Sequence, residues 1–168
     1  MQWKSPQIWA ELKKGINCPL CTDLPLKENR FSFLVAELQQ SYVQLPKNQY
    51  YYGYTIVGFK RHANELFELS PQELSEFWQD VSLVAQALNE IYHPAKIDYC
   101  IFGHHCPHLH CHLVLQTFDS DPSAPIKTDA KEVFLKPEEY QTMIQKLNDT
   151  MAKLKADPGK SSRVRPIA

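Results

Sequence analysis

The chain has 168 residues, 43% of them hydrophobic, so it is long enough to bury a core as one domain without disulfide bonds. Its 18 basic and 19 acidic residues give a net charge of -1, which argues against a broad surface for duplex nucleic acid or an anionic membrane. No stretch approaches the roughly 18 apolar residues that span a bilayer, and the amino terminus lacks the apolar segment of a secretion signal. The odd number of cysteines, five, is typical of a reducing compartment, so we expect a cytoplasmic protein.

The first half of the chain has the pattern of an antiparallel meander. A short amphipathic segment around residues 8–12 is followed by a loop that contains Cys18-Pro19-Leu20-Cys21. Aromatic and β-branched side chains predict strands over residues 31–38 and 53–59, with residues 41–45 as a partner strand. We therefore expect the sheet to begin with consecutive strands joined by turns.

The second half begins with the clearest helix start in the chain. Ser70-Pro71-Gln72-Glu73 combines an N-cap serine, a proline at the first helical position and the glutamate of a capping box. Apolar residues then recur at three- and four-residue steps, which predicts a long helix packed on a core. A strand over residues 97–102 and a helix that begins at Pro137 follow. We expect a single domain over residues 1–156 and a flexible, basic tail over residues 157–168.

Three histidines alternate with apolar residues in His108-Leu109-His110-Cys111-His112. On a strand, residues two apart share one face and lie about 6.6 Å apart, whereas on a helix such side chains would diverge by about 200°. The pattern therefore predicts a strand with one buried face and one face that lines a cavity. Neighbouring imidazoles at this spacing can meet different oxygens of one phosphate group.

The middle histidine, His110, is the candidate nucleophile. With an ordinary pKa near 6.5, imidazole offers a neutral nitrogen at neutral pH, and a phosphorylated imidazole is itself a good leaving group. This chemistry predicts a covalent nucleotidyl-histidine intermediate formed by attack on phosphorus. An isolated pattern of three alternating histidines is also typical of a metal site or of buried, hydrogen-bonded histidines, so these alternatives stay open at this point.

Residues 108–114 resemble the signature of the histidine triad (HIT) superfamily, in which three histidines alternate with apolar residues and a further apolar residue follows. The similarity extends to residues 51–57, to Lys60-Arg61-His62, to the capped helix and to Phe102-Gly103, and so covers roughly residues 18–122. The chain is most similar to diadenosine tetraphosphate hydrolase-like members with a CxxC zinc site. The resemblance implies an α+β, HIT-like fold: an antiparallel β-sheet meander with a long helix packed on it and a C-terminal helix.

The resemblance also assigns roles to the three histidines. His110 would be the nucleophile, His112 would contact the phosphate, and His108 would complete the catalytic triad. The implied substrates are dinucleoside polyphosphates or nucleoside phosphoramidates, attacked at the α-phosphate, and the implied assembly is a homodimer. The alternative is a nucleotide-binding, zinc-stabilised interaction module with little catalytic activity.

The CxxC pair has two interpretations. A thioredoxin-like redox pair would lie between a strand and a helix, whereas this pair lies in a loop near the start of the chain, which disfavours redox chemistry. A subset of HIT proteins binds zinc through a CxxC pair, a histidine after the second main strand and the first triad histidine. The corresponding residues are Cys18, Cys21, His62 and His108. They would complete a closed tetrahedral site, so the resemblance implies one structural zinc ion.

Two departures from the most similar branch lie beside the predicted phosphate site. Gly103-His104 stands where Gly-Asn is usual, and Leu115-Gln116 stands where Pro-Arg is usual, so His104 and Gln116 are candidates for nucleotide contacts. His104 and His105 either donate hydrogen bonds to a phosphate or leaving group, or are loop residues without that role. Glu37 lies where HIT proteins often place an acidic residue toward the ribose, or is a solvated strand residue.

Two groups of aromatic and aliphatic residues also have a functional and a structural interpretation. Phe31, Phe33 and Leu34 could form a slot for a base, but strand residues of this type are more often core, and we assign them to the core. The four tyrosines within residues 50–54 could stack on nucleic acid. Because no basic groove accompanies them, packing or an interface is the better interpretation.

Overall fold

The computed structural model describes residues 3–127 and 131–157 and has a five-stranded antiparallel sheet at its centre. The strands are β1 (Ser32–Glu37), β2 (Ser41–Pro46), β3 (Thr55–Phe59), β4 (Lys96–Cys100) and β5 (His110–Gln116), in the order β1-β2-β3-β5-β4. The helices are α1 (Pro6–Lys13), α2 (Pro19–Asp23), α3 (Pro71–Tyr92) and α4 (Pro137–Ala156), with a 3-10 turn at Leu66–Glu68. The predicted α+β class, with its meander, long helix and C-terminal helix, is confirmed.

The strand that carries the histidines lies inside the sheet. β5 pairs with β3 on one side, where His110 is opposite Gly58 and His112 is opposite Ile56. On its other side it pairs with β4. Because both neighbours are hydrogen-bonded to it, β5 gives its side chains a rigid support.

Helix α3 begins at the predicted capping box. The backbone N–H of Glu73 donates to the Ser70 hydroxyl at 3.2 Å, and the Glu73 carboxylate accepts from the Ser70 N–H at 2.9 Å. The apolar stripe of the helix is buried in the core and includes Phe77 and Leu88, which are 0% and 1% exposed. Burial of side chains of this size stabilises the fold by roughly 1.5–3 kcal/mol each. This stripe fixes the helix on the sheet, as the sequence predicts.

The core occupies one face of β5 and leaves the other face for the site. Cys111, Leu113 and Leu115 belong to the same buried cluster as the apolar residues of α3 and α4. Successive side chains of a strand point to opposite faces, so His110 and His112 lie on the face away from this core.

Three local expectations need correction. The CxxC segment, predicted as a loop, ends in the short helix α2, because Pro19 at the first helical position has the backbone angle that a helix needs. The strand predicted from residue 53 begins at Thr55, since Gly53 has a φ of +89° and takes part in a turn. The histidine strand begins at His110, so His108 lies just before β5.

The predicted flexible tail, residues 157–168, lies outside the described residues except for Asp157. Within residues 3–127 and 131–157, no helix is both long enough and apolar enough to cross a membrane.

Candidate functional site

A cleft of about 440 Å³ lies over the histidine face of β5, and both His110 and His112 line it. The centroids of their rings lie 4.6 Å apart. Both residues are partly buried, whereas His108 is 1% exposed and is absent from the cleft lining. The three triad histidines therefore divide between two environments.

His110 is held in one tautomer by its own strand. Its Nδ1 atom lies 2.5 Å from the backbone carbonyl oxygen of His108, which can only accept a hydrogen bond. Nδ1 therefore carries the proton and donates it, and Nε2 keeps a free lone pair. Burial lowers the pKa of His110, which favours the neutral ring. A neutral imidazole with one available nitrogen is the form that attacks phosphorus.

His112 is held by Tyr54 on the neighbouring strand. The Tyr54 hydroxyl hydrogen-bonds to Nδ1 of His112, and the two rings are stacked with an interplanar angle of 6°. Burial lowers the pKa of His112 to about 3 and raises that of Tyr54, so both groups are neutral near pH 7. Among the described residues the hydroxyl has no other partner, so we assign it as the donor. Nε2 of His112 then carries a proton and can donate it to an oxygen or nitrogen in the cleft.

The remaining cleft walls combine apolar side chains with a few polar ones. Phe31, Ile56 and Phe102 contribute apolar surface, and Lys4 contributes a cation. Phe31 was assigned to the core by its strand pattern, and this assignment is wrong, since the side chain is 64% exposed and lines the cleft. Phe33, by contrast, packs against the core. Apolar walls with a few convergent polar groups are typical of a small-molecule site.

His104 and His105 both line the cleft. The ring of His104 lies 5.8 Å from the rings of Trp3 and Phe102. These contacts connect the segment before α1 with the loop that precedes the triad. This position beside the cleft is the one that the first interpretation, hydrogen bonding to a phosphate or leaving group, requires.

Two candidates from the sequence do not line the cleft. Glu37 forms an ion pair with Lys60, at 2.8 Å between Oε1 and Nζ. Gln116 donates from Nε2 to Oδ2 of Asp98 at 2.8 Å. Gln116 is four residues beyond His112, about 13 Å along a strand, which explains its separation from the triad.

A second cluster, here called the Cys/His cluster, brings together the four predicted metal ligands. Cys18, Cys21, His62 and His108 each offer one ligand atom, and these four atoms all lie within 4.8 Å of one another. Nδ1 of His108 is 3.5 Å from the sulfur of Cys18 and 3.4 Å from that of Cys21. Nδ1 of His62 is 3.4 Å from the sulfur of Cys21. The cluster can hold a metal ion.

Backbone carbonyl groups orient both imidazoles of the Cys/His cluster. Nε2 of His108 donates to the carbonyl of Phe59 at 2.8 Å, and Nε2 of His62 donates to the carbonyl of Lys13 at 3.2 Å. Each ring therefore turns an unprotonated Nδ1 toward the sulfurs. Such hydrogen bonds to the far nitrogen are the usual support of a metal-bound histidine.

Close packing between the N-terminal segment and His62 also supports the Cys/His cluster. Gly15 has a φ of +78°, and a Cβ atom at this position would lie 3.2 Å from Cγ of His62. Both facts favour glycine. The turn after α1 can therefore approach the ring closely and bring the CxxC segment to it.

Cys106, which sequence analysis did not single out, lies against the Cys/His cluster. Its sulfur is 3.5 Å from that of Cys18, and burial raises its pKa to about 12. Burial, with a hydrogen bond donated to Cys18, also raises the pKa of Cys21 to about 12. Buried thiols of this kind ionise when a cation stabilises the thiolate. The sequence signal that could have located Cys106 is its position two residues before His108.

Comparison with known proteins agrees with this geometry. The family model described as the HIT domain matches residues 27–118, which is more than half of the chain. This chain belongs to the HIT family. Among curated proteins, none matches it.

Solved HIT structures share the fold. A histidine triad protein from Bradyrhizobium japonicum has 22% sequence identity and a TM-score of 0.66, with 71% of this chain and 90% of that chain covered. A hypothetical histidine triad nucleotide-binding protein from Sulfolobus tokodaii has 20% identity and a TM-score of 0.66, with 84% of this chain and 97% of that chain covered. A zinc-bound histidine triad family protein from Mycobacterium smegmatis has 18% identity and a TM-score of 0.58, with 84% of this chain and 97% of that chain covered. At these identities the likeness concerns the fold, and the predicted HIT-like architecture is confirmed.

Proposed function

We propose that this HIT protein is a nucleotide phosphohydrolase or nucleotidyl transferase that acts at the α-phosphate through His110. The observation that carries the proposal is the hydrogen bond from Nδ1 of His110 to the His108 carbonyl, at 2.5 Å. It leaves Nε2 as a neutral nucleophile in a cleft shared with the donor His112. Dinucleoside polyphosphates and nucleoside phosphoramidates are the substrate classes that this chemistry fits.

The reaction has two displacement steps. In the first, the Nε2 lone pair of His110 attacks the α-phosphorus, a P–N bond to the histidine forms, and the P–O or P–N bond to the leaving group breaks. The N–H of His112 stabilises charge on the phosphate or on the departing atom. In the second, water attacks the same phosphorus, the histidine P–N bond breaks, and the nucleoside monophosphate leaves with His110 restored. An alcohol or a phosphate in place of water would make the second step a transfer.

The cleft offers contacts for both parts of a nucleotide. The exposed ring of Phe31, with Ile56 and Phe102, provides apolar surface for a base. Lys4, His104 and His105 provide cationic or hydrogen-bonding groups for phosphate oxygens. This division of apolar and polar walls supports a nucleotide as the ligand.

We also propose that the Cys/His cluster holds one structural zinc ion. Tetrahedral zinc with sulfur at about 2.3 Å and nitrogen at about 2.0–2.1 Å sets sulfur-to-nitrogen distances of about 3.6 Å. The observed distances from Nδ1 of His108 to the two cysteine sulfurs, 3.5 and 3.4 Å, fit this value. Bound zinc would stabilise the two thiolates and join the N-terminal segment to the residue before β5. Four protein ligands leave no position for water, so we assign it no chemical step.

The second candidate is a nucleotide-binding, zinc-stabilised interaction module with little catalytic activity. Gln116 favours it, because its amide is bound to Asp98 and does not replace the guanidinium expected at this position of the most similar branch. The two candidates agree on the ligand and differ in whether a covalent intermediate forms.

The protein is further proposed to be a cytoplasmic homodimer. β4 is an edge strand, and it exposes Tyr99, while Ile101 lies exposed just after it. Unpaired backbone groups and apolar side chains on an edge strand are suited to pairing with a second copy. Light scattering distinguishes this dimer from a monomer.

The proposed reaction is tested by turnover of diadenosine tetraphosphate and of adenosine 5′-phosphoramidate. We expect His110→Ala to reduce turnover of both by orders of magnitude, because it removes the nucleophile. The matched control is His93→Asn at the end of α3. His93 lies outside the cleft, and asparagine, like histidine, tolerates the left-handed backbone of this position. Equal turnover by His110→Ala and the wild type would refute the proposal.

A further inference from the structure

We propose that a second, smaller cavity beside His112 binds the leaving group, and that this group carries a single aromatic ring. The inference rests on the proposed function. The cavity has a volume of about 110 Å³, and its walls include Tyr50, Tyr51 and Tyr54. His112 and Phe102 line both this cavity and the nucleotide cleft. The two spaces therefore share a wall at the predicted phosphate-binding histidine.

The two spaces follow one another along the same face of β5. His110 and His112 line the cleft, and His112 and Val114 line the smaller cavity. Alternate residues of a strand are about 6.6 Å apart, so the cavity lies one strand repeat beyond the nucleophile. If a phosphate lies between His110 and His112, its nucleoside occupies the cleft and its leaving group can reach the smaller cavity.

Aromatic rings form much of the cavity wall, and Asn48 and Lys127 are its polar members. The rings of Tyr50 and Tyr51 meet edge to face, with centroids 5.0 Å apart. The hydroxyl of Tyr51 accepts a hydrogen bond from the backbone N–H of Lys127 at 3.1 Å, and that of Tyr54 is bound to His112. Two of the three hydroxyls are therefore already engaged, and the rings remain as contact surface. Aromatic surfaces arranged in this way bind another ring by edge-to-face or offset stacking.

The size of the cavity limits the ligand further. An engineered cavity of about 150 Å³ holds one benzene molecule. At about 110 Å³, this cavity suits one ring whose edge remains in solvent, and the exposed Tyr50 leaves such an opening. A second nucleoside is too large. The substrate class is thus a nucleoside 5′-phosphoramidate or phosphodiester whose leaving amine or phenol has one ring.

The step balances without a further reactant. Nε2 of His110 forms its bond to phosphorus as the bond from phosphorus to the aromatic amine or phenol breaks. The departing atom takes a proton from solvent, while His112, at the shared wall, stays neutral and donates a hydrogen bond from its Nε2–H to that atom. Water then attacks phosphorus, the histidine P–N bond breaks, the nucleoside monophosphate leaves, and the proton lost by the water passes to solvent.

The experiment compares two substrates with the same nucleotide, adenosine 5′-phosphoramidate with ammonia or with benzylamine as the leaving group. The measurement is the ratio of kcat/KM for the benzylamine compound to that for the ammonia compound. We expect Tyr50→Ala to lower this ratio on the order of tenfold, because it removes a ring from the benzyl subsite. Tyr50→Leu is the second variant in case the first does not fold. The matched control is Tyr52→Ala, whose exposed ring packs on Tyr92 and lines neither space.

The outcomes separate this inference from the proposed function. A lower ratio in the Tyr50 variants, with the wild-type ratio in Tyr52→Ala, supports the subsite. Turnover of the ammonia compound with an unchanged ratio in the Tyr50 variants overturns the subsite and leaves the proposed function intact. An equal fall of the ratio in Tyr52→Ala overturns the subsite as well, because the effect then reflects the shape of the loop that carries both tyrosines. If the wild type turns over neither compound but does turn over diadenosine tetraphosphate, the subsite is wrong and the proposed function stands. If it turns over none of the three, both the subsite and the proposed function are wrong.

Discussion

His108 and His110 are joined by a hydrogen bond from the Nδ1 atom of His110 to the backbone carbonyl oxygen of His108, at 2.5 Å. The ring of His108 belongs to the Cys/His cluster, and its carbonyl fixes the tautomer of His110 in the cleft. The proposed metal site and the proposed nucleophile are thus connected through one residue. A change at the cluster should therefore affect the orientation of His110.

Loss of a metal ligand should reduce both stability and turnover. We expect Cys21→Ser to lower the zinc content from one ion per chain and the free energy of unfolding by roughly 3–5 kcal/mol, because loss of a structural metal is among the largest single-residue effects. Metal analysis of untagged protein and thermal denaturation measure the two quantities. The control is Cys100→Ser, a partly buried thiol on β4 outside the cluster. Full zinc content and unchanged stability in Cys21→Ser would contradict the site.

The hydroxyl of Tyr54 should matter for catalysis more than for folding. Tyr54→Phe keeps the ring stacked on His112 but removes the donor to Nδ1, so either tautomer of His112 becomes available. We expect kcat to fall about tenfold or more, with a stability loss of about 1 kcal/mol for one hydrogen bond.

Steady-state kinetics and chemical denaturation test this separation. Tyr92→Phe serves as the control, since Tyr92 lines neither the cleft nor the smaller cavity. A wild-type kcat in Tyr54→Phe would show that the hydroxyl does not set the tautomer of His112.

Activity should persist at a lower pH than an ordinary histidine allows. Burial lowers the pKa of His110 and brings that of His112 to about 3, so both rings stay neutral as the pH falls through 6.5. We expect the fall in kcat/KM on the acid side to have its midpoint below the ordinary histidine pKa of about 6.5. A fall in kcat/KM with a midpoint near the ordinary pKa, about 6.5, would contradict the assignment.

Circular dichroism at each pH supplies the control for this profile. The unfolded chain contains histidines of ordinary pKa, so it binds more protons than the folded chain below about pH 6.5. Stability therefore decreases as the pH falls. Only the pH range in which the protein remains folded is used.

Two of the residues predicted from the sequence should behave differently from one another. His104 lines the cleft, so His104→Ala should raise KM several-fold through loss of a polar contact. Gln116 is bound to Asp98 outside the cleft, so Gln116→Ala should leave KM within about twofold of the wild type. Substrate titration of the two variants measures both values. A larger rise of KM in Gln116→Ala than in His104→Ala would show that the nucleotide extends along β5 to Gln116.

The sequence predicted the elements whose signals are local. The capping box at Ser70 located the start of α3, and the alternation around His110 located β5 and its two faces. The four ligands of the Cys/His cluster followed from the family resemblance, and the structure brings their ligand atoms together. The short helix at Cys21 was missed, because five residues are too few to give a periodic pattern.

The contacts between distant residues were beyond the sequence pattern. Tyr54 and His112 meet because β3 and β5 pair with Ile56 opposite His112, and strand periodicity does not fix such a register. Phe31 has the residue type of a core position, and only its place just before β1 leaves it exposed over the cleft. Cys106 approaches Cys18 across 88 positions of the chain, so no local pattern marks the pair.

Direct detection of the nucleotidyl-histidine intermediate tests the central claim. The protein is mixed with adenosine 5′-phosphoramidate, quenched in alkali to preserve the phosphorus–nitrogen bond, digested and analysed by mass spectrometry. We predict an adenylyl group on the imidazole of His110, and no such group in His110→Ala. Turnover by the wild type with no adduct on His110, or with the adduct on another residue, would contradict the account.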